Sequence, residues 1–176
     1  MEVIENNDLR PISVLRQNPG SFYVVRNNHP NYVSQNGCLY SKDYKKIQYV
    51  PRGLYGTFVI PEGTEVIDIC CFEKTNFDQI IIPSSLKIVE NGAFRGSEIE
   101  SLDLKNVETM GFCAVWYCEY LQIFKGTKLK TLNFNELMFC KSLKKIIIGM
   151  QTEKIGYTSN DYNITMEGDN VVMVRK

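Results

Sequence analysis

The sequence has one histidine, no net charge and no long apolar run. Its 20 lysines and arginines balance its 20 aspartates and glutamates, so composition gives no electrostatic reason to expect binding to nucleic acid or to an anionic membrane surface. An apolar stretch of about 18 residues, the minimum for a transmembrane helix, is also absent. The sequence contains no metal-ligand spacing, phosphate loop or nucleotide fingerprint. We therefore expect no cofactor, and neither nucleic acid nor membrane as a partner.

The N-terminus also lacks the features of a secretory signal, because it begins with acidic residues and contains no apolar run of about 7–15 residues. Six cysteines are present, but none forms a CxxC pair. We expect them to be buried, reduced thiols, which is typical of a reducing compartment. The chain is accordingly expected to be cytoplasmic. A removed leader, and with it a secreted effector or a surface protein, stays open.

What the sequence does contain is an apolar repeat of 22 residues between Phe58 and Ile148. Four sets of equivalent positions, here called rungs, recur at this spacing, and all seventeen positions are apolar in a chain that is 44% apolar. The rungs are Phe58, Ile80, Leu102, Phe124 and Ile146; Phe77, Ile99, Leu121 and Leu143; Val66, Ile88, Met110 and Leu132; and Phe72, Phe94, Trp116 and Met138. One such unit cannot bury its apolar side alone, so the pattern predicts a stack of repeats.

The period contains local slips. One residue is missing shortly before Met110 and one is added back before Leu121, so Val115 could replace Trp116 on its rung. Gly126 stands where the other units carry an aliphatic residue, which predicts a weaker strand there. Each unit is expected to begin with a short strand, at residues 58–60, 80–82, 102–104 and 146–148.

Caps are expected at both ends, because the terminal units of a repeat stack would otherwise expose the core. The aromatic-rich segment 21–60 predicts a meander of short strands, with a hairpin turn at Asn36-Gly37. Before it, residues 1–20 could hold a short helix broken at Pro11. After a polar loop at residues 158–161, strands at 162–166 and 171–174 predict a C-terminal hairpin. The expected organisation is one compact domain, with an N-terminal cap (1–57), repeats (58–149) and a C-terminal cap (150–176).

A family resemblance is carried by residues 80–94, which read IIIPSSLKIVENGAF. This segment resembles the unit of BspA-like leucine-rich repeats, and residues 118–121 and 140–143 match that family's Cys-x-x-Leu. The resemblance covers about residues 21–150 and implies a right-handed solenoid with a sheet on one face. Family members are commonly bacterial or protist surface proteins that bind proteins or host matrix, and they share no catalytic residues. The predicted fold is an α/β solenoid, mostly β, of about four units.

Residues between two inward positions of a strand point outward. Such positions form one column of Val59, Ile81, Asp103, Lys125 and Ile147, and a neighbouring column of Thr57, Gln79, Ser101, Ile123 and Lys145. Solvent-facing strand positions are usually polar, so the aliphatic members indicate a binding patch around Asp103 and Lys125. The candidate partner-binding residues are Val59, Ile81, Asp103, Ile123, Lys125, Lys145 and Ile147. Alternatively, these residues reflect β-propensity alone, or a cap or a second copy covers them.

Catalysis is not expected, because no nucleophile or carboxylate motif accompanies His29. The sequence favours a non-enzymatic module that binds a protein partner through the sheet face of its repeats. The alternative is a structural, self-assembling protein that uses the same face in a homodimer.

Overall fold

A computed structural model describes residues 1–156 and 162–176. Within these residues the chain forms seventeen strands, one four-residue α-helix and one short 3₁₀ helix at Phe134–Leu137. The elements are β1 (Glu2–Ile4), α1 (Ile12–Leu15), β2 (Tyr23–Val25), β3 (Tyr32–Gln35), β4 (Cys38–Ser41), β5 (Lys46–Tyr49), β6 (Tyr55–Val59), β7 (Val66–Ile67), β8 (Asn76–Ile81), β9 (Ile88–Val89), β10 (Ser101–Asp103), β11 (Thr109–Met110), β12 (Ile123–Gly126), β13 (Thr131–Asn133), β14 (Lys145–Gly149), β15 (Glu153–Ile155), β16 (Tyr162–Glu167) and β17 (Asn170–Arg175).

The strands of the repeats stack into two sheets on different sides of a coil. The front sheet has seven strands in the order β16-β17-β14-β12-β10-β8-β6, and its five repeat strands are parallel. The rear sheet has six strands in the order β11-β9-β7-β5-β4-β3, and β13 pairs with β15 in a separate two-stranded sheet. Parallel pairing follows from the repeat, since each turn of the coil lays the next strand in the same direction beside the last.

The mostly-β solenoid is confirmed, but the coil makes about seven turns of about 22 residues rather than the four predicted. The rear sheet shows why the count was low. It includes β5, whose Ile47 pairs with Ile67 only 20 residues later. At the other end, Lys154 of β15 pairs with Leu132. A search for apolar residues at steps of 22 finds neither turn, because one has a different length and the other carries a lysine.

The first two rungs are confirmed, and they line the core behind the front sheet. Phe58 pairs with Ile80, and Leu102 pairs with Phe124, which pairs with Ile146. The second rung is fully buried, and its members are Phe77, Ile99, Leu121 and Leu143.

The other two rungs are only partly correct: Leu132, Phe72 and Phe94 are buried and Met110 packs against the core, whereas the other four members are displaced by one residue. In the rear sheet Ile67 pairs with Val89, and Val89 pairs with Met110. Ile67 and Val89 therefore enter the core in place of Val66 and Ile88. The residue missing before Met110 causes this shift. In the same way, Val115 and Leu137 join Phe72 and Phe94 in the core. The residues predicted for these positions lie outside it, since Trp116 is only partly buried and Met138 is exposed.

The strand that was expected to be weaker at Gly126 is present. Strand β12 ends at this residue and pairs with both β10 and β14. A Cβ atom at Gly126 would lie 2.5 Å from Cδ1 of Leu129. Leu129 therefore fills the core volume that a side chain at Gly126 would occupy, and the strand keeps its packing.

The N-terminal cap continues the rear sheet and carries its own small core. Strands β3 and β4 form the predicted hairpin, and Asn36 and Gly37 have φ values of 52° and 79°. Helix α1 begins after Pro11, whereas Ile4 belongs to β1, which pairs with β2. The small core consists of Ile4, Leu15, Tyr23, Tyr32, Leu39 and Tyr49. Arg16 links this small core to the repeats, because its Nη2 forms an ion pair with Asp68 Oδ2 at 2.6 Å.

The C-terminal hairpin of β16 and β17 is confirmed, and β17 lies antiparallel on β14. Its Val171 and Met173 extend the core. The polar loop predicted at residues 158–161 lies outside the described residues. Neither helix in the described part of the chain has the length and apolar character needed to cross a bilayer.

Candidate functional site

The seven candidate binding residues lie on the outward side of the front sheet. The register pairs Asp103 with Lys125 and Lys125 with Ile147, and it pairs Val59 with Ile81 at the other end. Ser101, Ile123 and Lys145 form the neighbouring column in the same way. Strands in a sheet are about 4.8 Å apart. The side chains of each column are therefore direct neighbours on a single surface, which we call the front face.

Three aliphatic side chains on the front face are strongly exposed. The exposed fractions are 64% for Val59, 41% for Ile81 and 43% for Ile123. By contrast, Ile147 and Lys145 are half-buried. The apolar part of the face therefore lies over β6, β8 and β12 rather than running the full length of the stack.

The middle of the front face is polar. Lys125 Nζ donates to Asp103 Oδ2 at 2.9 Å, and both side chains are more than 40% exposed. Exposed pairs of this kind contribute about 0–1 kcal/mol to stability. Lys145 lies 3.6 Å from Glu167 of the C-terminal hairpin. The fold therefore gains little stability from these charges.

Four of the six cysteines are buried as expected, whereas Cys70 and Cys113 are only partly buried. Cys38, Cys71, Cys118 and Cys140 are buried, and all six thiols are free. Burial raises the pKa of Cys118 to about 11 and that of Cys140 to about 12, so these thiols stay protonated and are poor nucleophiles at neutral pH. Cys118 Sγ donates to the Phe94 carbonyl at 3.0 Å, and Cys140 Sγ donates to the Val115 carbonyl at 3.2 Å. Each thiol thus links its turn to the preceding one.

His29 is fully buried and holds the N-terminal segment in place. Its Nδ1 accepts hydrogen bonds from the backbone N–H groups of Asn31 and Tyr32, both at 3.1 Å. Nε2 therefore carries the proton and donates to the Asp8 carbonyl at 2.8 Å. Both ring nitrogens are engaged, so the geometry leaves neither available as a general base. In the described ranges, no three His, Cys, Asp or Glu side chains are close enough together to hold a metal ion.

The 22-residue frame did not indicate an aromatic cluster at the surface, which is formed by the partly buried Trp116 and the exposed Tyr117 and Phe139. The rings of Tyr117 and Phe139 stack with centroids 4.4 Å apart and planes 9° from parallel, and Trp116 packs edge-on against both. Tyr117 and Phe139 occupy equivalent corners of successive turns, with φ values of 60° and 63°. The available signal was their 22-residue separation together with the alternative frame at Val115. Because the 22-step frame placed Trp116 in the core, this surface was overlooked.

Comparison with protein families matches residues 55–167 to six copies of the BspA type leucine rich repeat region. Among solved structures, a leucine-rich repeat protein from Eubacterium ventriosum aligns with a TM-score of 0.71 and 24% identity, covering 83% of this chain and 41% of that one. The pneumococcal vaccine antigen PcpA aligns with a TM-score of 0.52 and 20% identity, covering 76% and 40%. These likenesses concern the fold, and this chain spans about two fifths of the length of either structure. Comparison with curated proteins finds no match.

Proposed function

The chain belongs to the BspA-type leucine-rich repeat family, and from this premise we propose that it binds a protein partner through its front face. Repeats of this family are generally protein-interaction modules and are typically non-enzymatic. The proposed role requires no catalysis.

The exposed aliphatic side chains of the front face are the observation that carries the proposal. Val59, Ile81 and Ile123 are more than 40% exposed on the outward side of a sheet, where polar residues would be expected. Complete burial of a fully exposed aliphatic side chain is worth about 1.5–3 kcal/mol, and these side chains, which are already partly buried, would contribute the corresponding fraction. All three residues lie in strands of a paired sheet, so binding orders little additional chain and the conformational part of the entropic cost of association is small.

The ion pair of Asp103 and Lys125 suits a role in orienting the partner. Charged groups in an interface mainly set specificity and association rate, because burial costs much of their attraction. A partner with its own polar groups opposite this pair, and with apolar groups over Val59, Ile81 and Ile123, would match the face.

The test begins with capture of the partner on immobilised protein from lysate of the native cell, followed by identification by mass spectrometry. Affinity for the identified partner is then measured for Ile81→Asp and Ile123→Asp. We expect each change to weaken binding by at least about tenfold, which corresponds to about 1.4 kcal/mol.

Ile88→Asp is the matched control, because Ile88 is an exposed isoleucine in a strand of the rear sheet. It should bind the partner like the wild type, and circular dichroism should show that all three variants fold. Loss of binding in Ile88→Asp together with normal binding in both front-face variants would place the interface elsewhere.

Use of the same face in a homodimer is the alternative function. Sedimentation of the purified chain separates the two, because Ile81→Asp would dissociate such a dimer. A wild-type chain that does not self-associate through this face rules the alternative out.

A further inference from the structure

The front sheet ends in two open edges. Strands β6 and β16 are the first and last in its order, and each pairs with a single neighbour within the described residues. An edge strand presents unpaired N–H and C=O groups, which can pair with a strand of another molecule.

The open edge of β6 lacks the features that usually prevent an edge strand from pairing with another chain. The N–H of Ile60 donates to the Ile81 carbonyl of β8. Backbone groups alternate in direction along a strand, so those of Thr57 and Val59 point away from β8 toward the open side. Residues 53–60 contain no charge and no proline. Edge strands of natural proteins commonly carry charged residues or proline, which prevent pairing with other chains.

Beside this edge lies an apolar groove of about 350 Å³, between β6 and the hairpin of β3 and β4. Its walls include Tyr40, Leu54, Phe58 and Phe77, and Phe58 is only partly buried. The repeat period would place another front strand here, but residues 32–41 form the rear-sheet hairpin instead. The groove is therefore the position of a front strand that the described part of this chain does not supply.

The edge at β16 has the matching apolar side chains. Ile164 lies opposite Met173 and Met166 lies opposite Val171, and both partners on β17 are buried in the core. Ile164 and Met166 thus extend the inner side of the sheet, yet 48% and 53% of their surfaces are exposed. The pair Glu167–Asn170 closes the hairpin, so alternation turns the backbone groups of Ile164 and Met166 toward the open edge.

The two edges also run in the same direction. Strand β17 is antiparallel to β14, and β16 is antiparallel to β17. Strand β16 is therefore parallel to β14 and to the other repeat strands, including β6. A second copy shifted along the stack would bring β16 beside β6 in the parallel arrangement that the repeats already use, with both inner sides facing the core.

We propose that copies of this chain associate head to tail, with β16 of one copy pairing with β6 of the next. Ile164 and Met166 enter the groove beside Phe58, and the front sheet and its core continue from one molecule into the other. The contact joins two different surfaces, so it leaves one free edge at each end and can build open chains.

A second copy is favoured over an unrelated peptide because one molecule carries both halves of the contact. Both edges belong to one sheet and have the same direction. Residues 53–60 carry no charge, and β16 carries only one, at its last residue, Glu167. The apolar side chains at each edge lie on the same side of the sheet.

The test is complementation between two blocked variants. Thr57→Lys places a charge on the β6 edge, and Met166→Lys places a charge on the apolar side of β16. Sedimentation velocity is measured from about 1 μM to about 1 mM, the range of a weak to moderate contact. The wild type should form dimers and longer chains as concentration rises. Each variant alone should stay monomeric, and the two mixed should form a dimer that grows no further, because each supplies one intact edge.

Thr57→Pro and Ile164→Pro repeat the test through the backbone, since proline at an edge removes only the outward N–H. Ile81→Asp is the control for the front face, and it should associate like the wild type even where it abolishes partner binding. The proposal is wrong if the wild type stays monomeric throughout, if the single variants associate normally, or if the mixture forms no dimer. A synthetic peptide of residues 162–167 should inhibit wild-type assembly, and an unrelated peptide of equal length should not.

Discussion

Replacing Glu136 by glutamine should stabilise the protein above pH 7 and leave its stability near pH 4 unchanged. Glu136 is 7% exposed and takes the core position that Cys71, Ala93 and Ala114 fill in the preceding turns. No lysine, arginine or histidine of the described residues forms an ion pair with it. Burial without a partner disfavours the charged form, and it raises the pKa of this carboxyl from 4.5 to about 7.

The sign of the effect follows from proton binding. Between pH 4.5 and about 7 the folded state keeps a proton that the unfolded state has lost, so stability falls as pH rises through this window. Each unit of pKa shift corresponds to about 1.4 kcal/mol. The ionised carboxylate therefore costs at most about 3 kcal/mol above pH 7, and less where the carboxyl keeps contact with water. Glutamine carries no charge, so we expect a gain of about 1–3 kcal/mol at pH 8.

Urea denaturation at pH 4, 6 and 8 measures this difference for the wild type, Glu136→Gln and Glu136→Ala. Glu136→Ala introduces the residue found at the equivalent position of the preceding turn, Ala114. Its stability should depend on pH in the same way as that of Glu136→Gln. Glu100→Gln is the control, because Glu100 is exposed and its replacement should leave the pH dependence as it is. Parallel stability curves for the wild type and Glu136→Gln from pH 4 to pH 8 would refute the reasoning.

Two further predictions concern the core. Gly126→Ala should destabilise the protein by about 1–3 kcal/mol in urea denaturation, because the added Cβ would overpack against Leu129. The destabilisation should be smaller in a Leu129→Ala background. Equal destabilisation in both backgrounds would contradict this explanation. Maleimide labelling at pH 7 should modify Cys38, Cys71, Cys118 and Cys140 only after unfolding, because they are buried and burial raises their pKa values. Mass spectrometry identifies the labelled sites, and rapid labelling of Cys118 in the native protein would oppose the assignment of a structural thiol.

Much of the candidate site could be predicted from the sequence, because a strand alternates its sides strictly. Once Phe58 and Ile80 were assigned to the core, Val59 and Ile81 had to face outward, and the structure places them there. Their role in binding stays a prediction. The frame beyond Leu104 was harder, since one missing residue moves the side chains that follow it to different positions until a residue is added back. Tyr117 and Phe139 were overlooked for this reason, although their spacing equals the repeat.

The period of 22 residues by itself determined that this chain stacks parallel strands around one apolar core, because no single unit can bury its own apolar side. Tertiary structure alone decided which of two adjacent residues enters that core. Val115 is buried and Trp116 is not, because pairing with the neighbouring turn sets the frame. The open edges at β6 and β16 were likewise invisible in the sequence. A strand's second neighbour is chosen by the path of the whole chain, and here residues 32–41 pair in the rear sheet and leave the place beside β6 open.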